Sequence, residues 1–281
     1  MSVISFWSNT KKQTGQTMSL AAIATSMAIE HNYKILIISS VYNDDTLDLC
    51  FGTQGGNKSL IKKIMQGNTV AVDNGIEGLA KIAYSGRLSP DVIQNYTHVV
   101  YKNRLEILHS YKEVEDRPTK EEYLKIREKY KDIIKNASKF YDMVLVDVDK
   151  GLDDDIVKQI LKISDLTVVN VEQKLNEIND VNELLHSKLR NDDFILNIGR
   201  FDNYSKYSVK NISRYLGLKR DITVVPYNTL FFQAASEQTV ADLFLKIRRV
   251  DDGDRNATFT KEVKQAVEKI IYKLEELRMK M

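Results

Sequence analysis

Short apolar runs rich in β-branched residues recur along the chain, alternating with stretches whose apolar positions return every three or four residues. The first run, VISFW at 3–7, is followed by a polar loop at 8–16 and by an apolar, alanine-rich stretch at 18–29. That order reads as strand, loop and helix. KILIIS at 34–39 comes next and closes a βαβ unit. Such crossovers are right-handed in nearly all sheets, so the two strands are expected to be parallel. Further buried strands are expected at 105–109, 143–147, 166–171, 194–198 and 222–225, with helical patterns between most of them. Strands alternating with helices predict an α/β fold, a doubly wound, mainly parallel sheet with helices on both faces.

Two of the helical stretches are well marked. Thr119 and Glu122 have capping-box spacing, and Tyr123, Ile126, Tyr130, Ile133 and Ile134 share one face, which predicts a helix leading into the strand at 143–147. Its lysines and glutamates form a solvated face. Residues 260–281 read as a C-terminal amphipathic helix with Val263, Val267, Ile270, Ile271, Leu274 and Leu277 on one side. With no internal repeat and no linker rich in Gly, Ser or Pro, residues 1–281 are expected to form a single domain.

Composition narrows the class. A chain of 281 residues that is 43% apolar can bury a substantial core. Lys and Arg total 41 against 39 Asp and Glu, and a formal charge of +2 does not call for a nucleic-acid or membrane partner. The basic cluster Lys246, Arg248, Arg249, Arg255 and Lys261 is interrupted by Asp251, Asp252 and Asp254, so DNA is not a favoured partner. Cys50 is the one cysteine, which points to a reduced, cytoplasmic protein. No apolar run reaches the roughly 18–20 residues of a membrane span, and the start lacks a basic segment followed by an apolar one. His31, His98, His109 and His186 are scattered without zinc-site spacing. The run Asp153, Asp154, Asp155 is read as the acidic start of a helix near Ile156.

The loop after the first strand carries the candidate chemistry. A phosphate loop surrounds an anion with successive backbone N–H groups and a helix N-terminus, uses glycines for close approach, a lysine for charge and Ser or Thr for magnesium. Here the stretch is Lys11, Lys12, Gln13, Thr14, Gly15, Gln16, Thr17, Met18. Gly15 and Thr17 are well placed before the helix, whereas Gln16 stands where the lysine of the standard pattern belongs.

Set beside the rest of the chain, this loop resembles K-G-G-x-G-K-[ST] of the MinD/ParA family of deviant Walker A ATPases, within the SIMIBI class of P-loop proteins. Lys11 matches the family's signature lysine, which crosses a sandwich dimer to the partner's nucleotide, and Thr17 matches the magnesium-binding hydroxyl. KILIISSVYNDDTLDLCFG resembles the second strand and switch I, with Leu47, Asp48, Leu49 and Gly52 in register, while Ser39 and Val41 replace the two family aspartates. The second of those aspartates normally helps to position the attacking water. YDMVLVDVDKGLDDD resembles Walker B and switch II, with Asp147 matching the carboxylate of the magnesium shell, Gly151 the switch glycine, and Asp149 and Lys150 departing from the usual pair. DLTVVNVEQKLNEINDV resembles a later family segment, with Gln173 replacing the proline or its neighbour. FILNIGRF resembles the strand that ends in an asparagine near the base, which assigns Asn197 to the nucleotide site; VVPYNTLFFQAASEQTVADL adds Pro226 and Tyr227.

The resemblance implies a P-loop fold that binds ATP or ADP with Mg2+ through these residues, with Thr17 and Asp147 at the metal. A missing lysine and a missing switch I aspartate remove two separate catalytic contributions, so hydrolysis is expected to be slow or absent. The implied role is positioning or assembly of a cellular machine, as in the TadZ/CpaE localisation factors of pilus and secretion systems, whose N-terminal receiver-like domain is not expected here because the loop strand begins at Val3. Two alternatives are a nucleotide-free structural adaptor, or pseudo-ATPase, and an active partition or cell-division ATPase. Expected partners are a second copy of the chain in a homodimer and a protein complex to be positioned. A membrane surface is possible but not favoured: MinD binds membranes through an amphipathic C-terminal helix, but Glu268, Glu275 and Glu276 dilute the basic face here. The expected location is the cytoplasm, with the inner face of the membrane as a peripheral alternative.

Overall fold

The computed structural model describes residues 1–10, 13–52, 75–111, 119–151, 154–187, 194–218 and 222–280. In chain order the elements are β1 (Ser2–Trp7), α1 (Gln16–Glu30), β2 (Ile35–Ser39), α2 (Thr46–Phe51), α3 (Ile76–Tyr84), α4 (Pro90–Ile93), β3 (His98–Tyr101), β4 (Leu105–Leu108), α5 (Thr119–Arg127), α6 (Tyr130–Ala137) and β5 (Met143–Asp147). They continue with α7 (Asp155–Lys162), β6 (Leu166–Val171), α8 (Leu175–Ser187), β7 (Phe194–Phe201), α9 (Val209–Leu216), β8 (Ile222–Pro226), α10 (Thr229–Ser236), α11 (Val240–Ile247) and α12 (Ala257–Lys280).

The eight strands make one sheet in the order β3-β4-β2-β5-β1-β6-β7-β8. Every pairing is parallel except β3 with β4. Alternate residues of each strand feed opposite faces, as the strand period requires. Ile4, Phe6, Ile35, Ile37 and Leu145 pack with α1, α2, α10, α11 and α12, whereas Val3, Trp7, Leu36, Ile38, Val144 and Val146 pack with helices on the other side. Both faces are therefore apolar, which explains why the strands read as unbroken apolar runs. From β1 the chain crosses β5 to reach β2, and from β5 it crosses β1 to reach β6, so the loops after β1 and β5 meet at the switch point of the winding. Ligands of doubly wound sheets bind in that crevice.

The core strands carry polar side chains that find one another. Asn170 Nδ2 donates to Trp7 O at 3.3 Å, Asn197 Nδ2 to Asn170 Oδ1 at 2.9 Å, and Thr223 Oγ1 to Asn197 Oδ1 at 3.0 Å. This chain of bonds crosses β1, β6, β7 and β8 and fixes their relative register, since a slip would leave buried amides unpaired.

Beyond small shifts at element ends, the structure departs from the sequence reading at several places. The expected helix before β5 is two helices with a break at 128–129, although all five residues of the expected apolar face are buried. Tyr123 on α5 and Tyr130 on α6 donate to the neighbouring carbonyls of Ser40 and Ser39, at 3.0 and 2.9 Å. β7 runs three residues further than expected, to Phe201. The strand expected to include His109 ends at Leu108, and the His109 ring meets Asp48, Nδ1 to Oδ1 at 2.5 Å. β3 was not foreseen: four residues, HVVY, make an antiparallel edge whose exposed and half-buried positions alternate.

The acidic run before α7 behaves as expected where it is described. Asp154 caps the helix by accepting from the N–H groups of Ile156 and Val157, and it also holds Arg127. The apolar stripe of α12 is core: Val263, Val267, Ile270, Leu274 and Leu277 are buried with α1 and the sheet. Among the described residues, no helix is long and apolar enough to cross a membrane. Because Ile270 is fully buried, Ile270→Ala should lower the free energy of unfolding in urea by about 2–5 kcal/mol. A loss under about 0.5 kcal/mol would show that α12 is not part of the core.

Candidate functional site

β1 delivers the chain into a polar loop that turns into α1 at Gly15, which takes the left-handed conformation at φ 73° where glycine has no Cβ to clash. The opposite wall is β7. A Cβ on Gly199 would lie 2.3 Å from the Thr14 carbonyl oxygen, so only glycine lets the loop pack this closely on the sheet. The loop after β5 is tied to the same place: Gly151 N–H donates to Ser8 O at 3.0 Å and Trp7 Nε1 to Gly151 O at 3.1 Å.

Asp147 ends β5 at the centre of this arrangement, fully buried. Thr17 Oγ1 donates to its Oδ2 at 2.8 Å, and Gln16 Nε2 donates both to its Oδ1 and to Val148 O, each at 2.7 Å. Burial pushes the Asp147 carboxyl up to about 7; the bonds from Gln16 and Thr17 pull the other way, and the charge of Asp44 adds to the rise. Gln16 is itself buried, and its Oε1 has no partner among the described residues. The side chain that replaces the expected phosphate lysine is thus turned into the fold and bonded to the carboxylate of β5.

The remaining expected residues divide by position. Gln13 is exposed and accepts from Arg200 Nη2 at 3.4 Å, while Thr14 is fully buried and its Oγ1 has no partner among the described residues. Met18 directs its sulfur to Cys50 at 3.8 Å. Lys11 and Lys12 lie outside the described residues. Ser39 is buried and accepts from Val41 N–H at 3.3 Å. Asp149 N–H donates to Ser40 Oγ at 3.2 Å, and Ser40 N–H to Asp147 O at 2.8 Å. Both loops that flank the site are therefore bonded to each other through Ser40. Gly151 takes φ 87°.

Asn197 lies inside β7, fully buried, with its Nδ2 donating to Asn170 and its Oδ1 accepting from Thr223. The strand ends beyond it, and there a cleft of about 570 Å³ opens between the ends of β7 and β8. Pro226 and Tyr227 line it, joined by Arg200, Tyr204 and Arg255. Tyr227 stacks on Phe232 at 5.0 Å. Gln173 clasps the cleft's loop, its Nε2 donating to Asp202 O and Tyr207 O and its Oε1 accepting from Asp202 N–H. Sequence reasoning missed Gly199, Arg200 and Gln173 as site residues. A lone glycine closing a strand was the one available signal.

These residues fit an anion with a neighbouring planar group. The first amides of α1 precede its first intrahelical bond, Ser19 N–H to Gly15 O at 2.8 Å, and no acidic side chain stands in its first turn. Thr17 and Asp147 present hard oxygens in contact with each other, the kind of pair that suits Mg2+. Arg200 joins the cleft to the loop. What the site lacks, among the described residues, is a cation on the first turn of α1.

Asp147 yields a signed prediction. Between about pH 4 and 7 the folded protein keeps a proton on Asp147 that the unfolded chain releases, so stability should fall as pH rises through that window and stay low above it. Asp147→Asn cannot ionise and offers Gln16 an amide. It should flatten that part of the profile and be more stable than wild type at pH 8, as read from urea midpoints. A variant less stable at pH 8, with the slope unchanged, would refute the assignment.

No protein-family model and no curated protein matches the sequence. Solved structures do. A ParA family ATPase from Chlorobium tepidum TLS is 17% identical, with 95% of this chain and 97% of that one covered and a TM-score of 0.67. The septum site-determining protein MinD of Pyrococcus horikoshii OT3, complexed with Mg-ADP, is 14% identical, with 96% and 97% covered and a TM-score of 0.66. A plasmid partition protein of Borrelia burgdorferi B31 bound to AMPPNP is 16% identical, with 97% and 99% covered and a TM-score of 0.57. The chain has the MinD/ParA-type P-loop fold.

Proposed function

We propose that this protein binds ATP or ADP with Mg2+ at the loop before α1, hydrolyses it slowly or not at all, and uses the bound state to position or assemble a protein machine such as a pilus, secretion or division apparatus. The observation that carries the reading is the Gln16 carboxamide, bonded to Asp147 and Val148. A phosphate at the loop would be met by the amides of α1 and not by a lysine ammonium. Bound nucleotide supplies the phosphoanhydride and magnesium the charge that offsets it. Thr17 Oγ1 and Asp147 would hold the metal shell, Arg200 and Arg255 would flank the cleft, and Tyr227 would offer a ring face. Val41 leaves its position in switch I without a carboxylate to orient water.

Nucleotide complexes of the MinD and the plasmid partition protein support the ligand class. In the dimer we propose, Lys11 crosses to the partner's nucleotide, and ATP favours the paired state.

Calorimetry and phosphate release test this together. Wild type should bind Mg-ATP and turn it over below about one per minute, and Gln16→Lys should tighten binding about tenfold by adding a charge-assisted bond. Light scattering of the same samples should show a dimer with ATP that Lys11→Glu abolishes. Turnover of about one per second or more, lost in Thr17→Ala, would favour an active partition or division ATPase. No binding by wild type and Gln16→Lys alike would favour the nucleotide-free adaptor.

A further inference from the structure

Beside the start of the phosphate loop, Ser8, Asn9 and Thr10 face Glu177, Asp180 and two valines across a cavity of about 10 Å³, with room for one water-sized particle. Two side chains that line it are almost wholly buried and carry an atom with no hydrogen-bond partner among the described residues: Ser8 Oγ and Glu177 Oε1. The other oxygen of Glu177 is used, accepting from Glu172 N–H at 3.0 Å. Buried polar atoms are seldom left without a partner, and a carboxylate oxygen least of all, so the cavity calls for an occupant. Among the described residues no lysine or arginine forms an ion pair with Glu177 or Asp180, and Lys174 pairs with Glu172 instead.

We propose that this cavity binds one partly dehydrated monovalent cation, held by Glu177 Oε1 and Ser8 Oγ. Both free atoms are oxygens, which suits a hard ion, and the carboxylates of Glu177 and Asp180 supply negative charge. A divalent ion is a poorer match. Divalent sites draw on several charged ligands, whereas no group of three His, Cys, Asp or Glu among the described residues could hold a metal. The ion ties the first residues of the phosphate loop to α8 and places a positive charge beside a loop whose Gln16 brings none.

The site goes beyond the nucleotide reading, and its test uses no nucleotide, so either can fail alone. Thermal unfolding of the full chain is followed in potassium chloride and in N-methylglucamine chloride at one ionic strength. Wild type should show a saturable rise in midpoint of about 2 °C with potassium, and Glu177→Gln and Ser8→Ala should each abolish it. Equal midpoints in the two salts would mean that the cavity holds only water, and a potassium effect that survives both variants would place the ion elsewhere; either overturns the proposal. Should a variant not fold, thallium-205 resonance on wild type decides: a bound signal displaced by potassium supports the site, and its absence overturns it.

Discussion

A carboxylate buried at the end of a central strand is costly unless its surroundings hold it, and around Asp147 the rest of the site is arranged to do so. Thr17 and Gln16 supply two hydrogen bonds from the first turn of α1. Those bonds join the loop after β1 to β5, the two strands whose ends meet at the switch point of the sheet. A lysine at position 16 could have reached outward to phosphate. The glutamine instead completes an internal network, and the same substitution that ties α1 to β5 removes the charge that phosphoryl transfer needs.

Further bonds hold the flanking loops to this centre. Ser40 bridges Asp147 and Asp149, and Tyr123 and Tyr130 hold the carbonyls of Ser40 and Ser39. Tyr42 lies against Tyr123 with ring centroids 4.5 Å apart, and Tyr111 is within 5.5 Å of Tyr123. Arg127 connects this aromatic group to Asp154 at the start of α7. The loops after β2 and β5 therefore rest on tyrosines and serines held by α5, α6 and α7.

Much of the fold was legible because its information is local. Strands buried on both faces announce themselves as apolar runs, and the bounds of β5 and β6 follow from their composition alone. The stripe on α12 was visible too. HVVY of β3 was not: four residues with polar ends carry no period long enough to read, and an edge strand is defined by its neighbour. The fates of Asn197 and Gln16 escaped for a related reason. Asn197 was assigned to the site by the resemblance of FILNIGRF alone, and its bond to Asn170 reaches a neighbouring strand 27 positions away. Gln16 bonds to a residue 131 positions away, a contact set by the winding of the sheet and not by any spacing in the loop.

The account rests on a direct bond between Gln16 and Asp147, and a double-mutant cycle measures it. Unfolding free energies of wild type, Gln16→Ala, Asp147→Ala and the double variant, taken in urea at pH 8, should give a coupling of about 1–3 kcal/mol, as expected for a buried bond to a charged group. Effects that add within about 0.5 kcal/mol would contradict it and return Gln16 to the open face of the loop.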